Sequence, residues 1–302
     1  MRSSIKRLSL FVILGSCLGQ CFAQTKRHVP IDELVGPVRS LREWDVLTNG
    51  RRKLSSIESY DQNGNLITYT AYKDDGGILY GDKNNYDTTG RLLETRTVHS
   101  PFTYLPDRKV RVYDNRGNMI EVKGFNSADS PLGGELYGYD SQGNMIEERN
   151  YLIGSHLVYN NHLTRHAYDA KGNEIGREQY VYEDNGIRPD EFGMGYQKQV
   201  FLNDKDGRPV LTRYLKSDNS LVRTETTKYD RRGNTIEEIE QSVASGPLRR
   251  VSYSYVFDRH GNWIKQVRRE WTGEGVGSVF EPLEISVRAI VYYARPYKKK
   301  KQ

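Results

Sequence analysis

The chain has 302 residues, 36% of them hydrophobic and 28% charged, with a mean hydropathy of -0.75. That composition excludes a multi-span helical membrane protein, and 22 Tyr with regularly placed apolar positions exclude wholesale disorder. The formal charge is +6, but Arg2, Lys6, Arg7 and Lys298–Lys301 supply more than that excess, so the body is close to neutral; a nucleic-acid binder carries its basic stripe on the folded surface, and no such partner is expected.

The first element is an export signal over residues 1–23. Arg2, Lys6 and Arg7 form a positive start, Leu8–Leu18 is apolar but too short to span a bilayer as a helix, and Cys21-Phe22-Ala23 before Gln24 reads as a small-x-small cleavage site. Leu14-Gly15-Ser16-Cys17 offers a second exit, a lipobox in which Cys17 is lipidated and becomes the new N-terminus. The two alternatives stay open. Cleavage after Ala23 removes both cysteines of the chain, leaving no disulfide, thiol nucleophile or Cys–metal site. Residues 24–33 read as a linker, 34–297 as the folded β domain and 298–302 as a basic tail that solubilises the chain or touches an acidic surface weakly.

An opening strand is expected near Val38–Trp44, followed by eight copies of Tyr-Asp-x-x-Gly-Asn-x-apolar. The copies begin at Tyr60, Tyr86, Tyr113, Tyr139, Tyr168, Asn203, Tyr229 and Phe257, spaced 26 to 35 residues apart. All eight keep the Asp and the Gly, and all have a branched apolar residue three places after the Gly: Ile67, Leu93, Ile120, Ile146, Ile175, Val210, Ile236 and Ile264. An internal repeat this regular decides the architecture before any motif does. The Asp carboxylate caps a type I turn, the Gly takes the left-handed conformation of a bulge, and Tyr and Ile flank the turn as good strand residues. Each period holds two strands and two turns, the second turn variable and collecting Pro101, Pro106, Pro131, Pro189, Pro247 and Pro282. Two segments interrupt the rhythm, Glu183–Gly195 and Thr272–Pro282, both read as loops. A closing strand near Ile285–Tyr293 completes the chain. The expected fold is all-β: tandem antiparallel hairpins forming a long twisted or spiralling sheet.

The copies resemble the YD repeats of the Rhs/YD-repeat family, found in bacterial surface and toxin-delivery proteins and in teneurins. The resemblance covers residues 60–265. It implies a spiralling β-sheet shell, which in large members encloses a cargo. This chain departs from them in being far shorter and in lacking the Asp-Pro-rich motif of self-cleavage, so the resemblance implies a small exported repeat protein without a toxin domain.

If the Asp pairs with the residue after Gly, the Tyr pairs with the next one: Leu66, Leu92, Met119, Met145 or Trp263. The row Tyr60, Tyr86, Tyr113, Tyr139, Tyr168 and Tyr229 is the candidate ligand-binding set, because aromatic faces stack on sugar rings. The competing explanation is a structural ladder between repeats.

Other constellations carry less. Asp204-Lys205-Asp206-Gly207 begins like a calcium loop, but Leu215 stands where the ligating Glu belongs. His156, His162 and His166 lie close together without a metal motif and read as exposed strand histidines. Gly-x-Ser-x-Gly, P-loop, dinucleotide and His-Glu-x-x-His motifs are absent, so neither catalysis nor a cofactor is expected. An outer-membrane barrel is disfavoured by segments such as Ile146-Glu147-Glu148-Arg149-Asn150, which break apolar alternation. The expected role is therefore a non-enzymatic exported scaffold at the cell envelope, secreted, periplasmic or lipid-anchored, binding a polysaccharide or other surface polymer. A protein-interaction module associated with surface or secretion machinery is the alternative.

Overall fold

The computed structural model describes residues 34–101, 106–153, 162–183, 186–189, 197–243, 249–271 and 280–294. The expected export signal, the linker and the basic tail lie outside them. The described residues are all-β. In chain order the strands are β1 Val38–Val46, β2 Arg52–Tyr60, β3 Leu66–Tyr72, β4 Ile78–Tyr86, β5 Leu92–His99 and β6 Arg108–Tyr113. They continue as β7 Met119–Phe125, β8 Pro131–Tyr139, β9 Met145–Leu152, β10 His162–Tyr168, β11 Glu174–Glu183, β12 Gly186–Pro189 and β13 Lys198–Asn203. The last are β14 Pro209–Leu215, β15 Leu221–Tyr229, β16 Thr235–Ser242, β17 Arg249–Phe257, β18 Trp263–Trp271 and β19 Phe280–Tyr292.

Every neighbouring pair is antiparallel, and the sheet closes on itself. Beyond its hairpin partner β2, β1 pairs with β19 through Leu41↔Ile290, Glu43↔Arg288 and Asp45↔Ser286. The expected open, twisted or spiralling sheet is thereby corrected to a closed 18-stranded antiparallel barrel. The one described strand not in the ring, β12, pairs with the end of β11, while β11 continues the ring by pairing with β13. The physical cause is cumulative stagger. Following the paired registers once around the ring displaces the chain by about 20 residues, a shear that tilts the strands by roughly 40° and lets the two edges meet. Closure removes the unpaired edge groups that an open array would expose.

The eight Asp-x-x-Gly turns lie at one rim, and their geometry follows from the sequence. In the first, Asp61 Oδ1 accepts from the Asn63 and Asn65 backbone N–H at 2.8 and 2.9 Å, and Oδ2 accepts from Asn65 Nδ2 at 2.9 Å. The turn glycines have φ between 81° and 92°, the left-handed region that a Cβ disfavours. The register slips one residue at each turn, pairing Tyr60 with Leu66, Tyr86 with Leu92, Tyr113 with Met119, Tyr139 with Met145 and Phe257 with Trp263. These are the cross-strand pairs the sequence predicts. The two ends of the strand order meet at this rim: Asn262 Oδ1 accepts from the Val35 backbone N–H at 2.6 Å, and its Nδ2 donates to Val35 O at 2.8 Å and to the Tyr292 hydroxyl at 2.7 Å.

Two loop expectations need revision. Gly186–Pro189, inside the segment read as a loop, forms β12, and Phe280–Pro282 belongs to β19. Pro282 is tolerated there because the register breaks between Arg268 and Arg269, where Pro282 pairs with Arg269. Glu183, the first residue of the segment read as a loop, is the last residue of β11, and the rest of the two segments, at 184–185, 190–195 and 272–279, lies outside the described residues.

Candidate functional site in the barrel wall

Strand alternation gives the wall two faces. One carries Leu41, Ser56, Asp82, Val122, Tyr137 and Val251, all buried. The other carries exposed Arg42, Lys83, Arg96, Arg213, Lys228 and Lys265. Closure crowds side chains that point inward, so the first face is the inner one. It is largely polar: across β1 to β5 the paired row reads Leu41, Glu58, Tyr69, Asp82, Thr97. Besides Leu41 and Val251, it carries a small apolar cluster of Met119, Val122 and Tyr137 with Tyr113, Tyr139 and Met145 packed against it.

All six row tyrosines sit on the inner face beside the turn rim. Five hydroxyls donate to a main-chain carbonyl of the preceding repeat. Tyr86 reaches Leu66 O at 2.8 Å, Tyr113 reaches Leu92 O at 2.8 Å and Tyr139 reaches Met119 O at 2.8 Å. Tyr168 reaches Met145 O at 2.7 Å, and Tyr229 reaches Pro209 O at 3.0 Å. Tyr60, first in the row, donates to Glu58, and its own carbonyl accepts from Tyr293 at 2.6 Å. The row is thus tied into the wall. Burial pushes the Tyr168 phenol up to about 12. Where the residue after the turn Gly is Arg instead of Asn, its guanidinium lies over the next repeat's ring: Arg91 over Tyr113 at 5.3 Å and Arg208 over Tyr229 at 4.9 Å.

The inner face also holds ionisable groups that sequence reasoning passed over. Burial pushes the Asp82 carboxyl up, opposed by hydrogen bonds from Tyr80 and Thr97. Glu148 is likewise raised, by burial and then by the charge of Glu135. Arg111, buried on the same face, donates from Nη1 to Thr95 Oγ1 at 3.0 Å. His162 and His166 share this face, but the His166 side chain is only 7% exposed, against the expectation of an exposed strand histidine. Its Nδ1 stands 2.8 Å from Glu174 Oε1, and Arg177 holds the same carboxylate from Nε at 3.0 Å and Nη2 at 2.8 Å. His156 lies outside the described residues. Among the described residues no group of three or more His, Cys, Asp or Glu side chains is placed to hold a metal ion. Alternation could have placed His166 and Glu148 on the Tyr face; their burial depends on closure, which the sequence does not announce.

No family model matches the chain, and no curated protein is similar to it in sequence. Among solved structures, the TcdB2-TccC3 complex aligns with 84% of this chain at 14% identity and a TM-score of 0.40. A porin-like protein from Bacteroides uniformis aligns over 85% of this chain and 98% of its own, at 10% identity and a TM-score of 0.44. The Tc holotoxin pore of Photorhabdus luminescens aligns over 83% of this chain at 13% identity and a TM-score of 0.28. This chain spans about 14% of the length of the first toxin chain.

Proposed function

We propose that this protein is an exported, non-enzymatic scaffold at the cell envelope that binds carbohydrate or another hydrophilic surface polymer on its barrel wall. The observation that carries the reading is the inner face: aromatic rings set among amides, carboxylates and guanidinium groups, where a protein built only for packing would place an apolar core. Polysaccharide sites combine these features, a ring face against the sugar's C–H groups and planar polar groups for its hydroxyls. The outer face supports an aqueous setting, since a lipid-facing barrel surface is apolar at alternate positions, whereas here Arg42, Lys83, Arg213 and Lys265 are exposed on it. A second reading, a protein-interaction module, is favoured by Val200 and Leu202, which are 41% and 60% exposed on the outer face of β13.

Affinity electrophoresis through gels containing a panel of polysaccharides tests the first reading. Selective retardation by one polymer is the expected result. Migration unchanged in every gel refutes it and leaves the protein-partner reading.

A further inference from the structure

The body is nearly neutral, but its charges are not spread evenly around the outer wall. Cross-strand partners Val256, Lys265, Val287 and Trp44 form one outer row from β17 across the seam to β1. Arg42 and Lys83 lie in the two rows beside it. No outer position of these three rows, from β17 round to β4, is Asp or Glu. Elsewhere the outer wall carries carboxylates paired to its cations: Arg96 with Glu94 at 2.6 Å, Arg149 with Glu147 at 2.9 Å, Lys198 with Glu178 at 3.1 Å and Lys228 with Glu237 at 2.6 Å. In the seam face Arg42, Lys83 and Lys265 are exposed and form no ion pair among the described residues. Apolar side chains stand between them: Val256 and Val291 are 52% and 51% exposed, and Trp44 is half-buried. Seven strands at the usual spacing make this face about 30 Å wide. The lysine run Lys298–Lys301 follows β19, the middle strand of the face, in the sequence.

We propose that this seam face docks the barrel, from the aqueous side, on an anionic lipid surface. Lys and Arg are drawn to anionic headgroups, and each basic residue near such a surface adds to the attraction. Trp and branched apolar side chains enter the boundary between headgroups and acyl chains. The combination selects the occupant. A hydrophilic acidic polymer satisfies Arg42, Lys83 and Lys265 but leaves Val256 and Val291 in water. A neutral bilayer takes the apolar side chains and leaves the cations without counter-charge. An anionic lipid surface takes both, and a face without carboxylates does not repel it. The lysine run after β19 adds four charges of the same sign to the chain beside the face. This docking goes beyond the carbohydrate reading, whose groups lie on the inner face, and does not depend on it.

The test uses vesicles of phosphatidylcholine alone or mixed equally with phosphatidylglycerol, at low salt. The full-length protein is compared by co-sedimentation with the Arg42→Glu, Lys265→Glu variant and with Arg213→Glu, an exposed outer position on β14. All three keep the same N-terminal segment and lysine run. In a second measurement, with Cys17 and Cys21 replaced by Ser, an environment-sensitive fluorophore is attached at Ala289→Cys in the face. A companion protein carries it at Ala167→Cys, an exposed outer position about halfway round the ring. The expected result is binding to the mixed vesicles that weakens about 10-fold or more in the double variant and stays close to the unsubstituted value in Arg213→Glu. The fluorophore should shift to the blue at position 289 and not at position 167. A double variant that binds as the unsubstituted protein does overturns the proposal and leaves the export signal or the lysine run as the contact. An equal loss in Arg213→Glu, or an equal shift at position 167, also overturns it, because binding then follows net charge and not this face. A shift at position 289 produced by polygalacturonate but not by mixed vesicles assigns the face to an acidic polymer. Absence of binding to either vesicle overturns the proposal, leaves an acidic protein as the partner of this face and does not touch the carbohydrate reading.

Discussion

Removing one hydroxyl isolates what a row tyrosine contributes to the wall. Tyr113→Phe deletes the 2.8 Å bond to Leu92 O and leaves a half-buried carbonyl without that donor. The expected cost is about 1 kcal/mol, read as a lower denaturation midpoint in urea with an unchanged slope. A midpoint equal to the unsubstituted protein's makes the hydroxyl incidental. The turn aspartates make a second prediction. Asp140 and Asp169 are held below the usual carboxylate range, first by the Asn144 and Asn173 side-chain amides and also by turn N–H groups. A carboxyl depressed by folding stabilises above its unfolded pKa, about 4, and that contribution is lost as pH falls through the lower folded value. Asp82 and Glu148, which burial raises, act in the opposite sense and are relieved by acid. The depressed turn carboxyls recur around the rim, so the thermal midpoint should fall below about pH 4. A midpoint that climbs steadily from pH 7 to pH 3 contradicts this.

At the scale of single elements, the seam between β1 and β19 is the decisive pairing. Glu43 accepts from Arg288 Nε at 2.7 Å, and the Arg288 guanidinium lies 3.3 Å from the centre of the Trp263 ring. The pair is mostly buried, with side chains 11% and 22% exposed for Arg288 and Glu43. Arg288→Met keeps the stem and removes the charge, leaving Glu43 without this partner at the seam. A loss of about 3 kcal/mol is expected, measured by chemical denaturation. A loss below about 0.5 kcal/mol, the size of a surface pair, places the seam elsewhere. The strands themselves were legible because Asp and Gly punctuate them eight times and because Tyr60↔Leu66 and its equivalents follow from turn geometry. Gly186–Pro189 was not, since a four-residue strand joined through Asp184 and Asn185 has the composition of a loop. Pro282 misled for a related reason: a bulge admits proline inside a strand, and nothing local in the sequence marks that bulge.

For the whole molecule, closure is the feature that local patterns left hidden. Each hairpin contributes a small stagger, and only its sum over eighteen strands decides whether Leu41 meets Ile290 or the sheet spirals past itself. The repeats therefore specify the wall but not its circumference, and the inner face emerges only when the ring shuts. That is also why the row tyrosines were placed correctly beside the turns while the engagement of their hydroxyls, and the burial of His166, stayed out of view. Cross-linking across the seam tests this most directly. Arg42 and Ala289 are cross-strand partners on the outer face, both exposed. With Cys17 and Cys21 replaced by Ser, the Arg42→Cys, Ala289→Cys protein should form an intramolecular disulfide under mild oxidation, because paired strands place opposite Cα atoms about 5 Å apart. An open sheet of eighteen strands separates the same two positions by roughly 80 Å, and a protein that stays reduced, or cross-links only between molecules, contradicts the closed barrel.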